Sequence, residues 1–182
     1  VILNPLASNV RFAGAAGSSF YSDMAIDDVS FIVPAPNDLA MLEWVSPLSG
    51  TTPSATMPIV VKVFNAGTAA QDSFPIKYSV DGGTTIVTEY TTDTIGPGDT
   101  LTYTFTATAN MATPGYYDCG AVVSNPGDVN FANDTILTRP YLCQALSGSY
   151  TIGADSTDDF NTFFDATFAL ENCGVSGPVV FT

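Results

Sequence analysis

The sequence predicts an all-β protein, a β-sandwich flanked by partial β modules, with one short helix near the C-terminus. Three observations carry this prediction. Apolar residues recur with the period of two that sends alternate side chains to opposite faces of a strand, most clearly at Met57, Ile59, Val61 and Val63. Short runs of this kind are separated by Gly, Pro, Asn and Asp turn signals over about a hundred residues. Only the stretch from Phe160 to Leu170 carries the three- and four-residue spacing of a helix, at Phe160, Phe163, Phe164, Thr167 and Leu170.

Composition supports the same class. Hydrophobic residues make up 46% of the 182, enough for a core, whereas charged residues are only 12% and the polar surface is Thr, Ser, Asn, Gly and Asp. Four basic residues (Arg11, Lys62, Lys77 and Arg139) face 18 acidic ones, a net charge of -14. That field repels phosphate backbones and anionic lipid, so no nucleic-acid partner is expected. The absence of histidine removes the commonest general base, the Ser-His pair and most zinc sites. The chain is therefore not expected to be an enzyme. No apolar run reaches the length of a membrane span. The chain opens at Val1 and stops just after Pro178-Val179-Val180-Phe181, so both ends read as cut from something longer.

In chain order, residues 10–31 hold two strand-like runs split by a Gly/Ser turn, and two strands cannot bury a face alone. The strings VRF, GSSFYSD and MAIDDVSF resemble the last strands of a MAM domain, an extracellular jelly-roll sandwich. The resemblance implies a cation near Asp23, Asp27 and Asp28, the candidate calcium ligands; the plainer alternative is a strand end facing water. Residues 1–36 are assigned to this module and its linker, in which Pro34 and Pro36 hold the backbone extended.

Residues 37–142 form the complete module. Its expected strands are Leu39–Val45, Met57–Asn65, Phe74–Asp81, Thr84–Tyr90, Leu101–Thr108, Tyr116–Val123 and Thr135–Tyr141, the pattern of an immunoglobulin-like sandwich. Asp81-Gly82-Gly83 supplies a tight turn, and Leu101, Tyr103, Phe105 and Ala107 oppose a stripe of threonines. Tyr117, Cys119, Ala121 and Val123 should point inward, with Tyr117 placed as in a tyrosine corner and Cys119 a buried free thiol. Trp44 reads as a packing residue or, alternatively, a sugar-stacking platform. The strings NDLAMLEW, VVKVFNAGTAA, IGPGDTLTYTFTAT, PGYYDCGAVV and NFANDT, in that order, resemble the CARDB family of adhesion-related, immunoglobulin-like domains. Where that family often carries an acidic residue beside the last asparagine motif, this chain has Phe131 and Ala132. Asn133-Asp134-Thr135 also fits a glycosylation acceptor.

Residues 143–182 change character. The acidic run Asp155-Ser156-Thr157-Asp158-Asp159 precedes the helical pattern, where it is expected to cap the helix, and Gly174 should close it. From Leu146 to Phe181 the chain is similar to the opening unit of parallel β-helix regions in large proteins of gliding bacteria with type IX secretion. Cys143 and Cys173 flank this unit, and the exported setting that the resemblance implies predicts a disulfide between them.

Together these readings predict a structural and adhesive segment of a large cell-surface or secreted protein, acting as spacer and interaction module. Its partners would be neighbouring modules and an extracellular protein or glycan. The alternative is a set of accessory modules of a secreted hydrolase or lyase whose catalytic domain lies elsewhere. No cofactor is required; calcium is the one candidate, at Asp23, Asp27 and Asp28 or at Asp128 and Asp134.

Overall fold

Among the described residues, alternation becomes thirteen strands, most of them in a sandwich, and one helix. The computed structural model describes residues 35–182. In chain order these hold β1 (Leu39–Ser46), β2 (Ser54–Met57), β3 (Val60–Asn65), β4 (Pro75–Ser79), β5 (Val87–Tyr90), β6 (Thr100–Thr104) and β7 (Ala109–Met111). They continue with β8 (Gly115–Tyr116), β9 (Cys119–Val123), β10 (Thr135–Thr138), β11 (Tyr141–Leu142), β12 (Leu146–Tyr150), α1 (Phe163–Cys173) and β13 (Val175–Phe181). The MAM-like strands and Asp23, Asp27 and Asp28 lie outside the described residues.

Two antiparallel sheets, β1-β3-β6 and β10-β9-β4-β5, supply the core. From the first come Leu39, Trp44, Val61 and Val63, and from the second Ile76, Tyr78, Cys119, Ala121 and Val123. Phe74 and Phe105 join them, with Tyr78 and Phe105 meeting edge to face at 4.6 Å. The pairs β2-β7 and β8-β11 extend the ends of the sandwich.

Four expected strands are broken, each for an identifiable reason, the run Thr135–Tyr141 dividing into β10 and β11 at Pro140, which has no N–H. Pro58 carries no N–H, so the run Met57–Asn65 divides into β2 and β3 although Met57, Ile59, Val61 and Val63 stay buried. The run Leu101–Thr108 stops at Thr104, because the amides of Thr106 and Ala107 turn to donate to the Glu89 carboxylate at 3.0 and 2.8 Å. The same carboxylate accepts from the Tyr103 hydroxyl at 2.8 Å, tying β5 of one sheet to β6 of the other. Burial works against the charge on Glu89, yet these hydrogen bonds hold its carboxyl below the usual range. The run Tyr116–Val123 changes partners midway, pairing with β11 through β8 and with β10 and β4 through β9. Between the two, the Tyr117 hydroxyl donates to the Thr113 carbonyl at 2.8 Å, as a tyrosine corner does.

Asn65 ends β3 without any exposure to solvent. Its Nδ2 donates to the carbonyls of Ala69 and Ile95 at 2.8 and 2.9 Å, and its Oδ1 accepts from Gly67 N at 3.0 Å. Its backbone bonds Asp99 O and Gly98 N. Gly67 lets the lead-in segment close onto this turn: a Cβ there would collide with the backbone at Pro36 and Asp38. The Asp38 carbonyl accepts from Ala66 N and Gly67 N at 2.8 and 3.1 Å, and Thr68 N and Ala69 N reach Ala35 O and Pro36 O.

In the C-terminal part, β12 and β13 pair in parallel with α1 as the crossover. Thr162 caps α1 by accepting from Asp165 N at 3.1 Å, and Gly174 ends it. The expected capping by the acidic run is corrected: Asp159 instead bonds Thr151, and Asp158 accepts from Asp155 N. Cys143 and Cys173 are joined, with Cα atoms 5.5 Å apart. Contact between this part and the sandwich includes Tyr141 meeting Phe168 edge to face at 5.2 Å and Cys143 N bonded to Thr51 O.

Two outcomes are expected. Asn65→Ala removes three buried side-chain hydrogen bonds, although Ala69 O keeps Gln71 Nε2, Ile95 O keeps Gln71 N and Gly67 N keeps Asp38 O, and should cost about 2–3 kcal/mol in urea denaturation. Alkylation under denaturing, non-reducing conditions should modify one thiol, that of Cys119. Reduction should then lower stability by about 3–4 kcal/mol through loop-closure entropy. Modification of all three cysteines without reductant would remove the cross-link.

Candidate functional site

The outward face of the β10-β9-β4-β5 sheet is where the fold leaves apolar surface uncovered. Gly120, at the centre of β9, sits opposite Leu137 of β10 and presents no side chain of its own. Leu137 lies over the space so made, its Cδ2 only 2.8 Å from where a Cβ on Gly120 would stand, yet it stays 79% exposed. The result is a groove of about 740 Å³, within the size range of ligand pockets. Leu137, Ile86 and Val122 supply its apolar lining and Lys77, Thr135 and Arg139 its polar one.

Half of the chain's basic residues therefore line one groove. Arg139 pairs with Asp118 at 2.9 Å and lies over the Tyr116 ring at 4.9 Å. Lys77 is half-buried and has no ion-pair partner among the described residues, whereas Lys62 pairs with Glu43. From Arg139 a row of rings leads away, Tyr116 on Tyr141 at 4.8 Å, Tyr141 on Phe168 and Phe168 on Phe164 at 6.4 Å. It ends at the exposed pair Phe163 and Phe164 at the start of α1. Cys119 contributes no chemistry to the groove, since burial first, and then the charge of Asp118, pushes its thiol up to about 12.

A second cluster gathers around the point where β1 begins. Asp128 accepts from Leu39 N through Oδ2 at 2.8 Å and from Asn130 N through Oδ1 at 2.9 Å. Asp38 accepts from Asn133 Nδ2 at 2.9 Å. Asp134 is only 6% exposed, and its buried Oδ1 accepts no hydrogen bond; the Oδ1 of Asn133 is in the same state. Desolvation, and after it the charges of Asp128 and Asp38, push the Asp134 carboxyl up to about 6.

These positions decide several sequence expectations. Trp44 is no sugar platform: it is buried, with Nε1 donating to Pro47 O at 2.8 Å. Asn133 of the glycosylation acceptor is half-buried and its amide nitrogen is already engaged by Asp38. The calcium candidates Asp23, Asp27 and Asp28 fall outside the described residues, while Asp128 and Asp134 are brought to one corner together with Asp38, which sequence reasoning passed over. Sequence reasoning also missed the groove, whose only local signal was a glycine in a strand.

Comparison with known proteins follows. A model of the CARDB family matches residues 36–135. A domain described as part of a cell surface protein from Methanosarcina acetivorans is 16% identical, with 62% of this chain and 96% of that chain covered and a TM-score of 0.48. The CARDB domain of a Pyrococcus furiosus protein in complex with di-metal ions is 18% identical, with 66% and 100% covered and a TM-score of 0.47. No curated protein matches the sequence.

The Asp134 carboxyl, raised from 3.8 to about 6, gives a pH dependence of known sign. The folded state favours the proton, so the contribution is full below about pH 4 and is lost as pH rises through about 6, by up to about 3 kcal/mol. In chelator-treated protein, Asp134→Asn should abolish this fall, and denaturation curves of both forms at pH intervals check it.

Proposed function

Because the chain belongs to the CARDB family of non-catalytic, adhesion-related immunoglobulin-like modules, we propose that it is a spacer and interaction segment of a larger cell-surface or secreted protein. The groove carries this reading. It offers apolar area for affinity and the Lys77 cation for orientation, beside Arg139 paired with Asp118, on a molecule that otherwise repels acidic partners. The ligand is an extracellular protein or glycan bearing both an apolar face and an acidic group.

The flanking assignments belong to the same proposal. Residues 1–36 end a MAM-type module, residues 37–142 are the CARDB sandwich and residues 143–182 open a β-helix region. The parallel pairing of β12 with β13 across a helix supports the last of these. An extracellular setting, with export by type IX secretion in a gliding bacterium, agrees with the Cys143–Cys173 cross-link. Among the described residues no helix is long and apolar enough to cross a membrane.

Beads carrying the full chain, tested against immobilised extracellular proteins and glycans, check the reading. Adhesion is expected from the wild type and a loss of tenfold or more, about 1.4 kcal/mol, from Leu137→Asp or Lys77→Glu at unchanged melting temperature. Adhesion indifferent to both substitutions would remove the groove from the function.

A further inference from the structure

We propose that the corner formed by Asp38, Asp128, Asn133 and Asp134 is a binding site for a hard divalent cation, calcium above all. Two buried acceptor oxygens without a donor, on adjacent residues, carry the inference. Buried polar groups in folded proteins are nearly always paired, and an unpaired carboxylate is among the costliest exceptions. Asp134 is the stronger case, since no donor reaches its buried Oδ1 and its charged neighbours, Asp128 and Asp38, have the same sign.

No protein cation among the described residues relieves this corner. Lys62 is paired with Glu43, Arg139 with Asp118, and Lys77 lines the groove on the outer face of the second sheet. With no cation among the described residues to neutralise the corner, a proton in acid or an ion at neutral pH can do so. The donor set consists of carboxylate and amide oxygens, which select calcium or magnesium over softer metals. Calcium's tolerance for irregular coordination favours it over magnesium.

The surroundings already orient the ligands. Asp128 is held by the amides of Leu39 and Asn130, and Asp38 by the Asn133 amide, each leaving further lone pairs free. Among the described residues no three acidic, cysteine or histidine side chains converge as a ready-made cage. Water and the Asn133 amide oxygen therefore complete the coordination, and affinity falls in the range of extracellular modules, about 0.1–1 mM. The consequence is architectural: Asp38 ends the lead-in segment, and Asp128 to Asp134 span the loop before β10. An ion there joins the start of the sandwich to its last loop.

The test uses the full chain and calcium itself. At about pH 7, moving from chelator to about 10 mM calcium should raise the melting temperature by about 3–10 °C. Magnesium should do less, and the shift should shrink towards pH 5 as protons compete. Asp134→Asn, which removes the buried charge without changing shape, should melt as high as wild type or higher in chelator and lose the calcium shift. A variant with Asp23, Asp27 and Asp28 all changed to Asn should retain it. The proposal is overturned if wild type shows no shift, if Asp134→Asn keeps it, or if the triple variant alone abolishes it. The adhesion assay on the groove reads a separate surface, so either result stands without the other.

Discussion

A single buried amide, that of Asn65, is the constraint on which the rest of the sandwich depends. Three side-chain hydrogen bonds and two backbone ones fasten the end of β3 to the turn at residues 66–69 and to the loop at residues 95–99. A low-dielectric interior makes each bond worth having only because all are made together. With that turn fixed, Gly67 admits the lead-in segment, and the register of β1 against β3 begins at Leu39 opposite Asn65. The position of Asp38, and with it the acidic corner, follows from a polar residue about thirty residues further along the chain.

The two surfaces that this scaffold presents are electrostatic opposites. One gathers half of the chain's few cations around an apolar groove on a sheet face. The other concentrates carboxylates at the start of β1, with buried oxygens that nothing in the described chain satisfies. Neither depends on reactive side chains. Recognition and geometry are what these two surfaces offer, which suits a module of the CARDB family.

The sequence made the core legible because burial and strand period are local signals. Met57, Ile59, Val61 and Val63 could be placed inward without knowing their partners, and they remain inward even though Pro58 splits the strand. Boundaries set by distant groups were not legible: β6 ends where it does because of Glu89, and nothing near Thr104 announces a carboxylate arriving from β5. The helix was found, but its cap is Thr162 rather than the conspicuous aspartates, which Thr151 and their own loop occupy. The groove depends on the register that sets Gly120 against Leu137, a long-range fact absent from either strand alone. Asp128 and Asp134 drew notice as acidic residues in a loop. Their meaning changed once Asp134 proved buried without a donor, since burial of a polar group is a property of the tertiary structure.

In any chain placed under tension, mechanical load runs along the backbone. Cys143 and Cys173 enclose a stretch with a sequence separation of 30, and their Cα atoms stand 5.5 Å apart. Pulled from both ends, the chain passes force directly from one sulfur to the other, so the covalent path bypasses α1. Without the cross-link, yielding of that stretch would release roughly 100 Å of slack. With it, the chain cannot lengthen there, and extension under tension has to come from segments outside the cross-linked stretch.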